Sequence, residues 1–213
     1  MKIKKLGHCC LVLEINGKRI MTDPGAPDYS GFPINEFDID VILFTHEHMD
    51  HFHVDSLKEI IKHNPKAIII TNNSVGKLLD VENMKYIKVE DGEVYDFQGL
   101  KIKGFGDKHA QIYEEFGQVQ NTGYMMEGFC YPGDSFSMPN EKVDILAFPV
   151  IGPWVLMKDA IDYVKKINPR IAFPVHDAVL KDFAKFIYTI PEHFLTKVNI
   201  KFKKLELGKE EEL

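Results

Sequence analysis

The feature that most constrains the fold is a histidine cluster directly after a short apolar run. Residues 41–44 are β-branched, aliphatic and aromatic, which is typical of a buried strand. The next residues place three imidazoles and a carboxylate within six positions. Residues two apart in an extended chain point to the same side, so His46 and His48 can bind one ion while the chain turns to carry Asp50 and His51 toward a second. The pattern predicts a two-metal site at a strand end.

The ligand types indicate which ions would bind. Imidazole nitrogen and carboxylate oxygen suit zinc, manganese and iron, and they leave a coordination position open for water when no thiolates close the shell. We expect two divalent metal ions per chain, zinc first, with manganese or iron as alternatives because availability often decides. The competing interpretation, ordinary solvated surface histidines, is disfavoured by three imidazoles so close together after a buried strand.

Three further potential ligands also follow strand-like segments. His109 comes after the alternating segment 101–105, and Asp134 lies in a Pro-Gly turn after two strand-like segments. His176 ends the apolar run Ile171–Val175. The sequence therefore predicts that all these side chains lie at strand ends.

In this order, the residues resemble the signature of the metallo-β-lactamase-fold hydrolases: His-x-His-x-Asp-His, then a lone His, a Gly-Asp and a final His. The matching residues are His46, His48, Asp50, His51, His109, Gly133, Asp134 and His176. The resemblance implies an α/β (α+β) fold, a four-layer αββα sandwich formed by one domain, 1–213, with the metals at one edge. It further implies two ligand sets and a carboxylate bridging both metals: His46, His48 and His109; Asp50, His51 and His176; and Asp134 as the bridge.

Other segments are similar to one branch of that family. The opening 6–10, the residues 22–24 and the segment 149–153 look like the small stand-alone branch that includes ascorbate-6-phosphate lactonase-like proteins. The family's flavodiiron oxidoreductases usually carry Glu in place of the second motif histidine, so His48 favours hydrolysis over redox chemistry. Glu47, beside it, is expected to point away.

A two-metal site suggests a mechanism. Two cations roughly 3.5–4 Å apart can share a water, lower its pKa to about 7 and stabilise developing charge, so a bridging hydroxide is the expected nucleophile. The sequence has no Gly-x-Ser-x-Gly elbow that would indicate a serine nucleophile. We assign catalytic roles to Asp50, Asp134 and His8. The leaving-group proton is left open between Asp50, a metal-bound water, Tyr113 and Tyr124.

Several residues have two competing interpretations. His8 lies near the metals in relatives with a similar Gly-His opening, but it is equally a candidate structural histidine. Asp23 is expected to orient a ligand by a hydrogen bond, with a turn cap as the alternative. Trp154, in a Gly-Pro loop, either lines the pocket or packs in the core. The loop 110–120 is either a movable pocket wall or a solvated loop.

Length and periodicity predict a layered domain. At 213 residues and 45% hydrophobic, the chain can bury a sizeable core. Apolar spacing predicts helices over 54–61, 74–80, 157–167 and 178–188, alternating with strands that include 11–15, 68–70 and 199–205. Mixed elements of this kind are typical of sheets with helices outside. The charged tail 208–213 is expected to stay solvated.

Charge and cysteine content narrow the partners. The net charge is −6 and no Lys/Arg cluster is dense enough to form a phosphate-binding surface, which argues against nucleic acid. The only two arginines, Arg19 and Arg170, weaken the case for bidentate recognition of a phosphate or carboxylate. No apolar run approaches the ~20 residues that cross a bilayer, and no signal-peptide core is present, so we expect no membrane association and a cytoplasmic location. Three cysteines give no disulfide framework, which fits a reducing compartment. Oligomeric state is left open.

These observations predict a metal-dependent hydrolase of a small ester, lactone or related carbonyl substrate. The first alternative is a small-molecule phosphodiesterase, which would need a cation near the pocket, such as Lys108. The second is a metal-binding protein without turnover, whose sign would be a pocket blocked by the loop 110–120.

Overall fold

The computed structural model describes residues 1–30, 35–181 and 183–213 and arranges their strands in two sheets of seven. From edge to edge, the first sheet contains β14 (Glu210–Glu212), β1 (Lys2–Lys5), β2 (Leu11–Ile15), β3 (Lys18–Thr22), β4 (Val41–Leu43), β5 (Ile68–Thr71) and β6 (Ile87–Lys88). The second contains β13 (Lys201–Phe202), β12 (Ile171–Val175), β11 (Ile145–Pro149), β10 (Phe129–Tyr131), β9 (Gly123–Met126), β8 (Leu100–Phe105) and β7 (Val94–Phe97). Both sheets are mixed, with parallel and antiparallel pairs.

Helices cover the outer face of each sheet. They are α2 (Val54–His63), α3 (Asn73–Val81), α4 (Met157–Ile167) and α5 (Phe186–Thr196), whereas the single turn α1 (Pro27–Ser30) lies beside His8. Helices α2 to α5 are amphipathic, and the apolar face of each packs on a sheet. Leu57 of α2 and Leu79 of α3 join the core outside the first sheet, whereas Val164 of α4 and Leu195 of α5 join the core outside the second. Within the described residues, no helix combines the length and apolar character that crossing a bilayer requires.

A third core fills the space between the two sheets. It contains Leu13 and Ile20 from the first sheet together with Phe129 and Phe173 from the second, all fully buried. The order of layers is therefore helices, sheet, sheet, helices, and the predicted four-layer αββα sandwich is confirmed. The prediction of one domain over 1–213 stays a prediction, which this shared core supports.

The two sheets repeat one topology. From β1 to β6, two antiparallel pairs are followed by three parallel pairs. From β8 to β13 the same sequence of pairs recurs. Helices α2 and α3 connect the parallel strands of the first sheet, and α4 and α5 connect those of the second. The chain thus consists of two halves with the same architecture, which was not visible in its sequence.

One predicted helix is misplaced. The helix expected at 178–188 is wrong, because α5 begins only at Phe186 and continues past Pro191. Proline costs the helix a backbone hydrogen bond, but Pro191 is buried on the same face as Leu195, so apolar packing outweighs that loss. The described residues between His176 and α5 form turns; Asp182 lies outside the described residues.

The C-terminal tail is mostly exposed, as predicted, but it also forms a strand that the sequence analysis did not predict. Its residues form β14, which pairs antiparallel with β1 in the register Lys2 to Glu212 and Lys4 to Glu210. Lysines and glutamates face each other along this edge, and Lys203 lies 2.9 Å from Glu211. Charge complementarity with a distant strand is therefore the signal that the solvated-tail interpretation missed. The strand predicted at 199–205 is also shorter, covering only β13.

Candidate metal centre

Four loops converge at one edge of the sandwich. They follow β4 of the first sheet and β8, β10 and β12 of the second, as the strand-end pattern predicted. Four groups of potential ligands are found among the described residues, and within each group one ligand atom per residue lies within 4.8 Å of all the others. Two of them share no residue: the first group is His46, His48 and His109, and the second group, which His8 joins from the segment after β1, is His8, Asp50, His51 and His176. The remaining two overlap with these and are Cys9, His51 and Asp134, and Asp23, His46 and His51.

Asp134 lies between the two groups. Its Oδ1 is 3.2 Å from His51 Nε2, and its Oδ2 is 2.9 Å from His176 Nε2. On the other side, Oδ2 is 3.3 Å from His109 Nε2 and 3.9 Å from His46 Nε2. One carboxylate thus faces imidazoles of both groups.

The inward-facing atoms of this centre are buried without hydrogen-bond partners among the described residues. The set comprises Asp134 Oδ1 and the Nε2 atoms of His8, His46, His51, His109 and His176. Buried polar atoms without partners are costly in a folded protein, and metal coordination would satisfy most of them. The Cys9 sulfur also lies near His51 and Asp134, but burial raises the pKa of this thiol to about 11, so it is protonated at neutral pH. The donors of the first and second groups, imidazole nitrogen and carboxylate oxygen, fit divalent cations such as zinc, manganese or iron.

Burial and the charges of neighbouring side chains determine which groups of the centre are ionised. Burial lowers the pKa of His46 well below its usual range, assisted by the neighbouring charge of His51, so His46 is neutral, the form that binds metals. Burial alone would raise the pKa of Asp134, but the charges of His51 and His176 hold it well below the ordinary value. The carboxylate between the two groups is therefore ionised at neutral pH.

Asp23 holds two candidate ligands of the first sheet, His46 and His51, in place on the side away from the centre. Its Oδ1 accepts the backbone N–H of Thr45 at 2.8 Å, and its Oδ2 accepts the Thr45 hydroxyl at 2.6 Å. The same Oδ2 lies 2.8 Å from His51 Nδ1 and also accepts the Tyr131 hydroxyl. Thr45 Oγ1 in turn lies 3.0 Å from His46 Nδ1. Both imidazoles are anchored at Nδ1, which leaves Nε2 facing the centre, so the expected hydrogen bond from Asp23 to a predicted ligand is confirmed.

The candidate ligands that follow strands of the second sheet, His109 and Asp134, are held in place by hydrogen bonds with nearby loop residues. His109 Nδ1 bonds the carbonyl of Ala110, which again directs Nε2 inward. Asn121 Oδ1 accepts the backbone N–H of Asp134 at 3.0 Å, and its amide donates to Pro132 O at 2.9 Å. Gly133 has a φ of +63°, and a Cβ there would lie 2.5 Å from Asn121 Oδ1, so this turn requires glycine. Sequence reasoning missed both Asn121 and Tyr131, because neither stands near a ligand in a recognisable spacing.

His8 occupies a position that favours donation over coordination. The backbone N–H of Ala178 donates to His8 Nδ1 at 3.1 Å, so the neutral ring carries its proton on Nε2. That Nε2 is 3.3 Å from Asp50 Oδ2. Burial lowers the pKa of His8 from its ordinary value, which keeps the ring neutral. The ring packs against His176 at a centroid distance of 3.9 Å, inside the centre as the resemblance implied.

The predictions for three other residues near the pocket agree with the structure only in part. Trp154 is half-buried, with its ring 5.5 Å from that of His109 and 5.9 Å from that of His176, so it borders the centre rather than the core. Glu47 accepts a hydrogen bond from Ser74 and belongs to neither ligand group, as expected. Tyr124 is wrong as a proton source: it is fully buried between the sheets and donates to the Phe44 carbonyl at 3.2 Å.

The loop 110–120 is mostly exposed. It contains one turn of 3-10 helix, Glu114–Phe116, and the side chains of Tyr113 and Phe116 are 64% and 67% exposed. Neither ring plugs the centre, so the sign expected of a blocked, non-catalytic site is not seen at these residues. Lys108 is also exposed.

Comparison with known proteins agrees with this geometry. The model of the β-lactamase superfamily domain matches residues 2–176, and the chain therefore belongs to this superfamily. A protein of Mycobacterium tuberculosis is 30% identical over 194 residues, covering 88% of this chain and 89% of that protein. A UPF0173 protein of Pyrococcus furiosus is 30% identical over 189 residues, covering 83% of each chain. A UPF0173 metal-dependent hydrolase of Thermoplasma acidophilum is 26% identical over 189 residues, again covering 83% of each.

Solved structures share the fold. A metal-dependent hydrolase described from Parabacteroides distasonis superposes with a TM-score of 0.77 at 22% identity, covering 96% of this chain and 92% of that one. The metallo hydrolase Igni18 of Ignicoccus hospitalis gives 0.74 at 18% identity, covering 100% and 98%. Together, the family matches and the shared fold identify the chain as a metal-dependent hydrolase of the metallo-β-lactamase superfamily.

Proposed function

We propose that the chain binds two divalent cations and hydrolyses a small ester, lactone or related carbonyl substrate. His46, His48 and His109 would hold one ion, and Asp50, His51 and His176 the other. The observation that carries the proposal is the placement of Asp134, whose carboxylate faces imidazoles of both groups within 2.9 to 3.9 Å. A carboxylate in that position is suited to bridge two ions. Zinc is the first choice of metal, with manganese or iron as alternatives.

The bound cations would supply a water of lowered pKa and polarise the oxygen under attack. The protein's own contribution is orientation: Asp23, the Ala110 carbonyl and Asn121 fix the inward-facing atoms before substrate arrives. Asp50 and His48 are only half-buried, so they form the open side through which a substrate would approach.

His8 and Asp50 form the proposed proton-handling pair. The neutral His8 ring holds a proton at Nε2, and the pKa of Asp50 is lowered: burial alone would raise it, but the contact with His8 and the charge of His51 outweigh burial. Asp50 is thus an ionised acceptor beside a fixed donor. Asp50 can therefore accept the proton that the attacking water releases and pass it to the leaving group, while the His8 N–H holds the carboxylate in position; Tyr124, buried between the sheets, is not placed to do so.

The His8 role predicts a difference between two substitutions. His8→Asn keeps an acceptor for the Ala178 N–H but removes the donor at Nε2 that positions Asp50, and it should lower kcat by roughly 10–100-fold with metal content unchanged. His8→Gln places an N–H near the former Nε2 and should recover part of the rate. Steady-state kinetics and metal analysis on the same samples test this. Loss of a metal equivalent in His8→Asn would instead make His8 a ligand.

The substrate assignment rests on the type of centre and on the sequence resemblance. We place the chain with the small branch that includes ascorbate-6-phosphate lactonase-like proteins, and Trp154 would form part of the substrate pocket. The test is turnover of a lactone and ester panel against a phosphodiester panel by protein reconstituted with zinc or manganese, with Asp134→Ala as the control. Activity confined to carbonyl substrates and lost in the control is expected. A preference for phosphodiesters would overturn the substrate class and direct attention to Lys108.

We further propose a cytoplasmic location, because Cys9, Cys10 and Cys130 are all free and buried. Burial raises the pKa of the Cys9 thiol to about 11 and that of Cys10 well above its usual range. A raised pKa leaves little thiolate at pH 8, so iodoacetamide should label none of the three in the native protein and all three after unfolding. Rapid alkylation of any one in the native state, followed by mass spectrometry, would contradict this burial.

A further inference from the structure

A cavity of about 720 Å³ lies next to the metal centre without including any of its predicted ligands. Its lining includes Gly7 and Ala178, which flank His8 and the His176 loop, and Tyr29, whose ring is 5.8 Å from that of His8. The volume is in the range of small-molecule sites. A ligand there would be separate from the reacting atoms yet in contact with the segments that carry His8 and His176.

The cavity combines apolar walls with a buried ammonium group. Leu6, Leu180 and Leu205 contribute apolar surface, and Lys5 is only 3% exposed. Lys5 Nζ lies 2.6 Å from Asp177 Oδ1 and donates to the Pro174 carbonyl at 2.9 Å. An ammonium group has three donors, so one N–H of Lys5 has no acceptor among the described residues. A buried unused donor favours a ligand that brings an acceptor oxygen.

A second cavity of about 420 Å³ continues the first. It shares Leu180, Tyr188 and Lys204 with it and adds Lys181 and Lys185. Lys204 Nζ lies 4.1 Å from the centre of the Tyr188 ring, which holds this cation over an aromatic face at the junction. Within the described part of the chain, none of the three lysines has a carboxylate partner.

The charges along the joined cavities are unbalanced. Of the carboxylates in the lining, Asp177 is paired with Lys5, and Glu206 lies 3.3 Å from Lys209. Among the described residues, Asp28 is then set against three lysines without a carboxylate partner. An anionic group at the lysine end would therefore find net positive charge, and an apolar body would find the leucines and the Tyr188 ring.

We propose that the joined cavities bind an anionic amphiphile, with its head group among Lys181, Lys185 and Lys204 and its apolar body against Leu6, Leu180 and Leu205. The site is independent of the proposed hydrolysis. It also contacts the supports of the centre, because Asp177 directly follows His176 and accepts the Tyr188 hydroxyl at 3.0 Å, and Ala178 donates to His8. A bound ligand is thus positioned to affect the metal centre through the segments that carry His176 and His8.

The test is calorimetric titration of the metal-loaded protein with n-octyl phosphate below its micelle concentration. n-Octanol lacks the anion and inorganic phosphate lacks the apolar body, and both should bind at least about tenfold more weakly. Lys204→Glu and Lys181→Glu should each weaken octyl phosphate at least about tenfold. Lys85→Glu is the matched control, since Lys85 is exposed between α3 and β6, lines neither cavity and should leave binding unchanged.

Two further arms identify the source of the ligand and the place of binding. Flotation with phosphatidylcholine vesicles, with and without phosphatidic acid, separates a free amphiphile from a lipid head group: binding to octyl phosphate alone supports the first, and binding to both supports the second. Equal binding by Lys204→Glu and by the unchanged protein would overturn the proposal. Equal affinity for octanol, no binding at all, or binding that disappears when the metal is removed would overturn it as well.

Discussion

Asp134→Asn is expected to lower kcat/KM by more than about 100-fold and to reduce the bound metal. Loss of partners that merely orient ligands costs about 10–100-fold in metal affinity or activity, so loss of the carboxylate between both ligand groups should cost more. Asparagine keeps the shape of the side chain but removes its charge. A loss of activity or of bound metal is therefore due to the missing carboxylate and not to a cavity. The measurement is steady-state kinetics on the best lactone or ester, with metal content determined on the same samples.

The matched control for this variant is Asp144→Asn. Asp144 directly precedes β11, and its half-exposed carboxylate lies 2.7 Å from Arg170 in a surface ion pair of the kind that contributes only about 0–1 kcal/mol. It should leave rate and metal content unchanged. If Asp134→Asn retained both metals and full activity, the bridging role would be untenable.

Asp23→Asn is expected to be the most damaging change outside the ligands. The fully buried Asp23 carboxylate accepts from the backbone and hydroxyl of Thr45, from His51 and from Tyr131. An amide would turn N–H groups toward donors and leave His51 without its buried partner, which costs roughly 3–5 kcal/mol in comparable cases. Metal affinity should fall about 10–100-fold because both anchored imidazoles lose their orientation. Urea unfolding of metal-free protein and equilibrium dialysis of the metal measure the two effects.

Tyr131→Phe provides a graded comparison. It removes one donor to Asp23 and leaves the carboxylate intact, so the expected loss of unfolding free energy is only about 1–2 kcal/mol. Asp23→Asn should therefore lose clearly more unfolding free energy than Tyr131→Phe. Equal stability of Asp23→Asn and the unchanged protein would mean that the network does not support the centre.

Local sequence patterns predicted that the candidate ligands lie at strand ends, because each of these positions depends on a single strand. The runs before His46 and His176 are short and apolar, and such segments form buried strands with little help from the rest of the chain. The grouping of His46 with His109 depended on the family resemblance, since no local rule brings residues from two sheets together. In the structure the strand ends of both sheets meet at one edge, which brings them into contact.

Long-range contacts explain what the sequence did not predict. The tail became β14 because it pairs with β1, at the opposite end of the chain. The helix expected at 178–188 was displaced because Asp177 is held by Lys5 and Tyr188, and because buried Pro191 is tolerated inside α5. Neither contact has a signature in the local sequence.

The repeated topology accounts for the division of roles at the centre. His8 follows β1 as His109 follows β8, and Asp23 follows β3 as Asp134 follows β10. His109 and Asp134 face the proposed metals. His8 and Asp23, at the equivalent strand ends of the first sheet, orient or support the groups around them. Periodicity within a single sequence could not reveal these pairs, because the two halves share strand order rather than residues.

The most direct test of the proposed two-metal hydrolase is a metal titration of the stripped protein, following lactone or ester hydrolysis and bound metal together. The account predicts that zinc or manganese binds at two equivalents per chain and that full activity requires both. Full activity at one equivalent, or activity that persists after the metal has been removed, would contradict it.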